Sequence, residues 1–268
     1  MLLFTAGGPD SGRIGDSLAM LPFMLKTVRD RGPMESAQVH GLNPAVADLI
    51  APVAPFFFNQ EIPEGAEVEE FVLNVQEAYW NYSPTIHMAQ SYFQRYNCPV
   101  PELPIAIDFP TRGVQNYRPD IAVIAPYSWT DWNGNKLWPH DRWISVVERL
   151  RAQNIIQGAY VVGSSSVDDY QVYANWAITP FFDRSLADVL NLIQSCGLFL
   201  SVDNGISHLA HYASVSHHVL LYPGCLKPTW VCNPHGIMVR RDAPAAVTVD
   251  DIMAAVQQVL VREHQRAA

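Results

Sequence analysis

No stretch of about 18 apolar residues occurs in this 268-residue sequence, so no membrane-spanning helix is expected. The opening MLLFTAGGPDSGRIGD has no basic start and soon meets Gly and Asp. It reads as a first strand rather than a secretory signal. Charge is sparse: only 16% of residues are Asp, Glu, Lys or Arg, so much of the surface must be neutral polar, aromatic or covered. Positive charge is scarcer still. Seventeen Lys and Arg stand against 26 Asp and Glu, a net charge of -9. That argues against a nucleic-acid partner, which needs a basic face, but leaves room for a local basic pocket. Cysteine is limited to Cys98, Cys196, Cys225 and Cys232, with no C-x-x-C pair. Their one cluster, Cys225-x6-Cys232-x2-His235, is looser than the usual zinc ligand pairs. Reduced thiols in a cytosolic protein, and no metal site, are the expectation. No internal repeat stands out. The strand-end loops hold no Asp-x-Asp stretch.

What is present is an alternation. Hydrophobic content of 49% is ample for a full core, and strand signals alternate with helix signals, predicting βα units and parallel sheets. Leu2 to Ala6 reads as a strand, followed by a Gly-rich loop. A helix follows, with an apolar stripe at Leu18, Leu21, Leu25 and Val28 that Gly32 ends. Residues 37 to 75 alternate short strands with a helix near Pro44 to Ile50. The run SPTIHMAQSYFQRYN predicts a helix capped by Ser83 with Pro84 in its first turn. Residues 98 to 120 then hold five prolines and little helical periodicity, which reads as a linker. Beyond it come a strand (IAVIAPYS), an amphipathic helix (WPHDRWISVVERLRAQN), a strand and turn (AYVVGSSS), and a helix that Ser185 caps. Strand Leu198 to Val202, the helix after it, strand Val219 to Tyr222 and a C-terminal helix complete the chain. The expected architecture is bilobal α/β. An N-terminal lobe occupies 1–118, including the linker 98–118, and a C-terminal lobe occupies 119–268. A ligand cleft is expected between them.

Four places hold candidate chemistry. In Gly12-Arg13-Ile14-Gly15-Asp16-Ser17, the loop lets a ligand approach the backbone. Asp16 at the helix start either complements the helix dipole or acts as a general base toward an acceptor hydroxyl. In APYSWTDWNGNKLWPHDRW, Ser128, Thr130, Asn133, Asn135 and Lys136 follow a strand's carboxyl end. This is either a solvated loop or a diphosphate site in which Lys136 supplies charge and hydroxyls donate. Trp138 and Trp143 are expected in the core. In VVGSSSVDDY, Asp168 or Asp169 either caps a helix or holds ribose hydroxyls. The most informative run is FLSVDNGISHLAHYASVSHHVLLYP. There a strand enters an Asp203-Asn204-Gly205 turn and then a helix bearing Ser207 and His208, a geometry that offers backbone N–H groups to an anion. Asp203 can cap that turn or accept from a ribose hydroxyl. His208, one turn in, lies on the face such a ligand would meet, although His211, His217 and His218 nearby dilute any single histidine.

In this order, the stretches RIGDSLAMLP, NKLWPHDRWISVVERL and SLADVLNLIQSCGLFLSVDNGISHLAHYASV resemble the ADP-heptose:lipopolysaccharide heptosyltransferases, glycosyltransferase family nine. The resemblance covers nearly the whole second half and a short N-terminal patch. It implies a GT-B fold, two Rossmann-like lobes, with the N-terminal, acceptor-side lobe reduced because the family's usual span is longer. It makes Asp16 the catalytic base, with Gly15 beside it among the donor-binding residues. Lys136, Ser128 and Thr130 inherit contacts to the donor phosphates. Asp203, Asn204, Gly205, Ile206 and His208 hold the diphosphate and adjoining groups, and Asp168 the ribose. The chain departs from the family in an extra GGPDSG, a longer loop before Lys136, and Asn204 where a hydroxyl or small residue is usual.

These readings converge on a metal-independent glycosyltransferase with no cofactor besides its nucleotide-diphosphate sugar donor. The sugar is of hexose or heptose type, and the acceptor is a hydroxyl of a glycan or lipid-linked glycan such as a lipopolysaccharide. The expected location is the cytoplasm, with at most peripheral contact at the inner face of the membrane. Two rivals stand beside this reading. One is a non-catalytic nucleotide-sugar-binding or partner-binding protein on the same scaffold, which the short N-terminal lobe favours. The other is a glycosyltransferase acting on modified DNA, which the net charge opposes.

Overall fold

A computed structural model describes residues 1–7, 12–31, 37–52, 54, 56–74, 86–110, 117–128, 136–165, 171–224, 233 and 235–267. The chain forms two compact units. The first spans Met1–Pro110, and the second holds the described residues from Tyr117 onward.

The first unit is built on a four-stranded parallel sheet of order β3-β2-β1-β4. Its strands are β1 (Leu2–Gly7), β2 (Ala37–His40), β3 (Phe56–Phe58) and β4 (Glu69–Asn74). Helix α1 (Ile14–Arg31) buries Leu18, Leu21 and Val28 of the predicted stripe. Leu25 is only half-buried. Pro22 lies inside α1 and removes one helical N–H donor. An aromatic core joins helix to sheet. Phe4 stacks on Phe71 at 5.3 Å, and Phe23 stands edge-on to Phe93 at 5.4 Å and stacks on Tyr96 at 5.2 Å. Such pairs contribute about 0.5–1.5 kcal/mol each beyond their area. Asn43 caps α2 (Pro44–Ile50) by accepting from Ala45 N. Its Nδ2 donates to Gly12 O at 2.6 Å, and its N donates to Ser17 Oγ at 3.0 Å, tying α2 to the start of α1. Gly41, at φ +75°, passes so close to β1 that a Cβ there would meet Ala6 O at 2.8 Å.

Helix α3 (Met88–Arg95) differs from expectation at its start. His87 is its N-cap: Nδ1 accepts from Ala89 N at 3.2 Å, while Gln90 Oε1 accepts from His87 N at 2.9 Å. A histidine nitrogen thus does the work assigned to the Ser83 hydroxyl. Ser83 and Pro84 lie outside the described residues. The proline-rich stretch is also less bare than its composition suggests, since Ile105, Ile107 and Phe109 are buried.

The second unit is a six-stranded parallel sheet of order β10-β9-β8-β5-β6-β7. Its strands are β5 (Arg118–Ala125), β6 (Gly158–Gly163), β7 (Thr179–Phe182), β8 (Cys196–Val202), β9 (His218–Pro223) and β10 (Ile237–Arg241). Every residue of β8 is buried, as a central strand covered on both faces requires. Gly197 sits where the register between β5 and β8 shifts; a Cβ there would meet Pro119 O at 2.1 Å, so only glycine fits. One core collects Ala122, Ile124, Leu198, Leu200 and Val202 from the sheet with Trp143, Val146, Val147 and Leu150 of α4 (His140–Ala152). Trp138 and Trp143 meet edge-on at 4.9 Å, inside the core as expected, and Trp138 Nε1 donates to Val247 O at 3.0 Å. A short α5 (Gln171–Ala174) and α6 (Leu186–Ser195) follow, the latter capped by Ser185 Oγ on Asp188 N as predicted. The chain continues through α7 (Gly205–Tyr212) and ends in α8 (Val249–Ala267).

Candidate functional site

In the second sheet, β5-β6-β7 run outward in one direction and β8-β9-β10 in the other. The strand order therefore reverses between β5 and β8, and the crevice beyond the carboxyl ends of those two strands is where open α/β sheets bind ligands. Asn204 marks this point. Its Nδ2 donates to Ala125 O at 3.0 Å and Tyr127 O at 2.8 Å, joining the end of β5 to the turn after β8. Its Oδ1 accepts from Ser207 N at 2.9 Å, and Ser207 Oγ accepts from Asn204 N at 3.1 Å, a reciprocal cap for α7. The turn needs no glycine kink: Asn204 is extended (φ -152°, ψ 177°), and Gly205 is simply the first helical residue. With Asn204 capping Ser207 N, the first-turn N–H groups of Gly205 and Ile206 are left without helical acceptors and face outward along the dipole.

Against this helix start lies a compact charged group. Lys136 Nζ is 2.6 Å from Asp203 Oδ2, with the two side chains 14% and 6% exposed. His208 Nε2 is 3.9 Å from Asp203 Oδ1. Burial lowers the His208 pKa to about 4; Asp203 opposes the shift and the Lys136 ammonium adds to it. The imidazole is therefore neutral at pH 7. Its Nδ1 is buried with no hydrogen-bond partner among the described residues. An ammonium paired with a carboxylate, two N–H groups and a neutral imidazole offer donors to an anionic group and an acceptor to its polar substituents.

Tertiary structure thus gathers Lys136, Asp203, Asn204, Gly205, Ile206 and His208 at one place in the second unit. Ser128, three residues beyond β5, is half-buried. Thr130, Asn133, Asn135, Asp168 and Asp169 lie outside the described residues, as do Cys225 and Cys232. Gly15 and Asp16 belong to the first unit. Both are buried in the first turn of α1, where the helix dipole favours a carboxylate.

The sheet's carboxyl edge holds further groups that sequence reasoning missed. Asp183, at φ +54°, accepts from Ser165 N at 3.1 Å and from Ser165 Oγ, and these bonds hold its carboxyl below the usual range. Tyr127 lies among His140, Tyr173 and Phe182 at ring distances of 5.6, 6.1 and 6.1 Å, and Tyr173 Oη is 2.7 Å from His140 Nδ1. No local pattern announces either group, because the members come from separate βα units.

Residues 96–220 match the profile of glycosyltransferase family 9 (heptosyltransferase). No curated protein matches the chain in sequence. Among solved structures, it is similar to a family 9 glycosyltransferase from Veillonella parvula, with TM-score 0.71, 12% identity, and 97% of each chain covered. It is also similar to E. coli heptosyltransferase WaaC with ADP, with TM-score 0.67, 12% identity, and coverage of 97% of this chain and 100% of that one. For the iron-containing dodecameric glycosyltransferase TibC from enterotoxigenic E. coli, the TM-score is 0.68, with 15% identity and coverage of 100% and 77%. Residues 96–220 are thus similar to glycosyltransferase family 9 (heptosyltransferase), and the two parallel α/β sheets share the GT-B fold of these structural neighbours.

Proposed function

We propose that the chain is a glycosyltransferase that moves a sugar, of heptose type, from a nucleotide-diphosphate donor to a hydroxyl of a glycan or lipid-linked glycan. The observation that carries this reading is the Lys136–Asp203–His208 group at the head of α7, placed at the strand-order reversal of the second sheet. Two structural neighbours support the donor class: WaaC is described with ADP, and TibC with ADP-D-beta-D-heptose. A cytoplasmic reaction fits such a donor.

In this reading the acceptor oxygen forms a bond to the anomeric carbon as the bond from that carbon to the diphosphate oxygen breaks. The electron pair leaves with the diphosphate. Lys136 and the N–H groups of Gly205 and Ile206 stabilise that developing charge. Asp16 takes the proton of the attacking hydroxyl. Asn204 holds the crevice open by fixing the end of β5 to the head of α7.

Two variants divide the roles. Lys136→Ala should weaken ADP-heptose binding by about 1.5–3 kcal/mol, the range for a charge-assisted hydrogen bond. It also leaves a carboxylate buried without its partner, so its melting temperature is read alongside, and Lys136→Arg serves as the charge-retaining control. Asp16→Asn should leave donor affinity unchanged and slow transfer by about 10²–10⁴-fold. Donor affinity that survives Lys136→Ala in a folded protein would remove the crevice from the donor site. Unimpaired transfer by Asp16→Asn would return Asp16 to a helix-terminal charge.

A further inference from the structure

The ammonium of Lys136 is already committed to Asp203. A phosphate that draws Lys136 to itself competes with that carboxylate. If the phosphate wins, Asp203, with a side chain only 6% exposed, is left as a buried charge that needs a new partner. His208 is the neighbour in position. Its Nε2 stands 3.9 Å from Asp203 Oδ1, roughly 1 Å beyond hydrogen-bond reach. Its side chain is 9% exposed, and its Nδ1 is unpartnered among the described residues.

We propose that a nucleotide-diphosphate donor takes Lys136 from Asp203, and that His208, protonated from solvent in the same event, replaces the lysine as Asp203's partner. The inference rests on the donor reading above. Before binding, the three groups sum to zero charge: one ammonium, one carboxylate and one neutral ring. Afterwards they carry one positive charge more, beside an anionic diphosphate.

The surroundings of His208 leave these groups in control. Among the described residues, the charges acting on it are Asp203, at the end of β8, and Lys136, in the segment leading into α4. Helix α7 packs on β8 and α6. The ionisable residue of β8 is Cys196, at its far end, and that of α6 is Asp188, bonded to its own cap Ser185. The other ionisable residues of α7, His211 and Tyr212, are themselves buried. Moving Lys136 away withdraws the charge that disfavours the imidazolium, and freeing Asp203 strengthens the one that favours it. Proton uptake on binding makes affinity fall as pH rises.

Calorimetric titration of ADP-heptose at pH 6, in two buffers of different ionisation enthalpy, reads the proton directly, because a diphosphate diester has no group titrating there. Wild-type protein should take up about 0.5–1 proton per donor bound. His208→Gln and His208→Asn should bind donor with uptake near zero, and so should Asp203→Asn, in which no carboxylate needs a new partner. Binding without buffer dependence, or uptake that persists in folded His208 variants, would overturn the exchange and leave the donor reading standing. Failure of wild-type protein to bind ADP-heptose or any other ADP-, UDP- or GDP-sugar would remove the donor reading, and the exchange with it.

Discussion

His218, the wholly buried first residue of β9, shows how much a single residue fixes in the second unit. Asn233 Nδ2 donates to Val215 O at 2.9 Å and lies 3.1 Å from His218 Nδ1, while His218 Nε2 lies 2.8 Å from Ser201 Oγ. An amide N–H₂ can only donate, so Nδ1 accepts and Nε2 carries the proton to Ser201. Burial pushes the His218 pKa from 6.5 down to about 3, and His208 falls to about 4 for the same first reason. Both folded pKa values lie below the unfolded one, so the unfolded chain binds more protons as pH falls through 6.5. The stability these neutral rings contribute is full above that pH and is lost on acidification toward the folded values. Between pH 8 and pH 5 the two histidines should together cost about 4 kcal/mol. Urea unfolding at both pH values measures this loss. His218→Leu should lower stability at pH 8 by about 1–3 kcal/mol, because it strands the Ser201 and Asn233 groups, and should flatten the acid dependence. An unchanged slope in that variant would assign the acid sensitivity elsewhere.

At the scale of elements, α7 depends on one side chain. Asn204 caps the helix through Oδ1 and binds two carbonyls of the β5 end through Nδ2. The family resemblance placed Asn204 among the residues that hold the diphosphate and adjoining groups. The structure turns its amide inward instead, because the carbonyls of Ala125 and Tyr127 need donors where two strands end side by side. Asn204→Ala should therefore cost more than the roughly 0.5–2 kcal/mol of a lost cap, since two part-buried acceptors lose their donors as well. Asn204→Ser, able to cap but not to span to β5, should recover only part of the loss. Equal melting temperatures for the two variants would show that the link to β5 carries no weight. The predicted boundary of α3 failed for a related reason: sequence cues favour a hydroxyl cap at Ser83, whereas the helix starts later, where a buried histidine nitrogen accepts from Ala89 N.

At the scale of the whole molecule, each unit repeats one device, a parallel sheet whose strand order reverses, one strand from the edge in the first unit and at the middle in the second. In the first unit the reversal lies between β1 and β4, just before the segment leading to Asp16; in the second it lies between β5 and β8, beside Lys136 and Asp203. On the proposed function, the second unit meets a diphosphate with an ammonium and a helix N-terminus, so no divalent cation is required at that position. Transfer should then persist in saturating chelator. Loss of activity that manganese or magnesium restores would overturn that assignment of leaving-group stabilisation.

Local cues were enough for the repeating elements. Apolar runs gave the strands, the stripe of Leu18, Leu21 and Val28 gave α1, and Ser185 gave the start of α6, because periodicity and capping act over only a few residues. The Asp203-to-His208 run was legible in the same way, and with it the helix start. Which strands are neighbours was not legible, since strand order is settled by long-range pairing and by close approaches such as Gly197 against Pro119. Tertiary structure alone set Lys136 on Asp203, with 66 residues of chain between them. It also set His208, out of four nearby buried histidines, beside that pair, because the distance to a charge belongs to the folded surroundings and not to the residue.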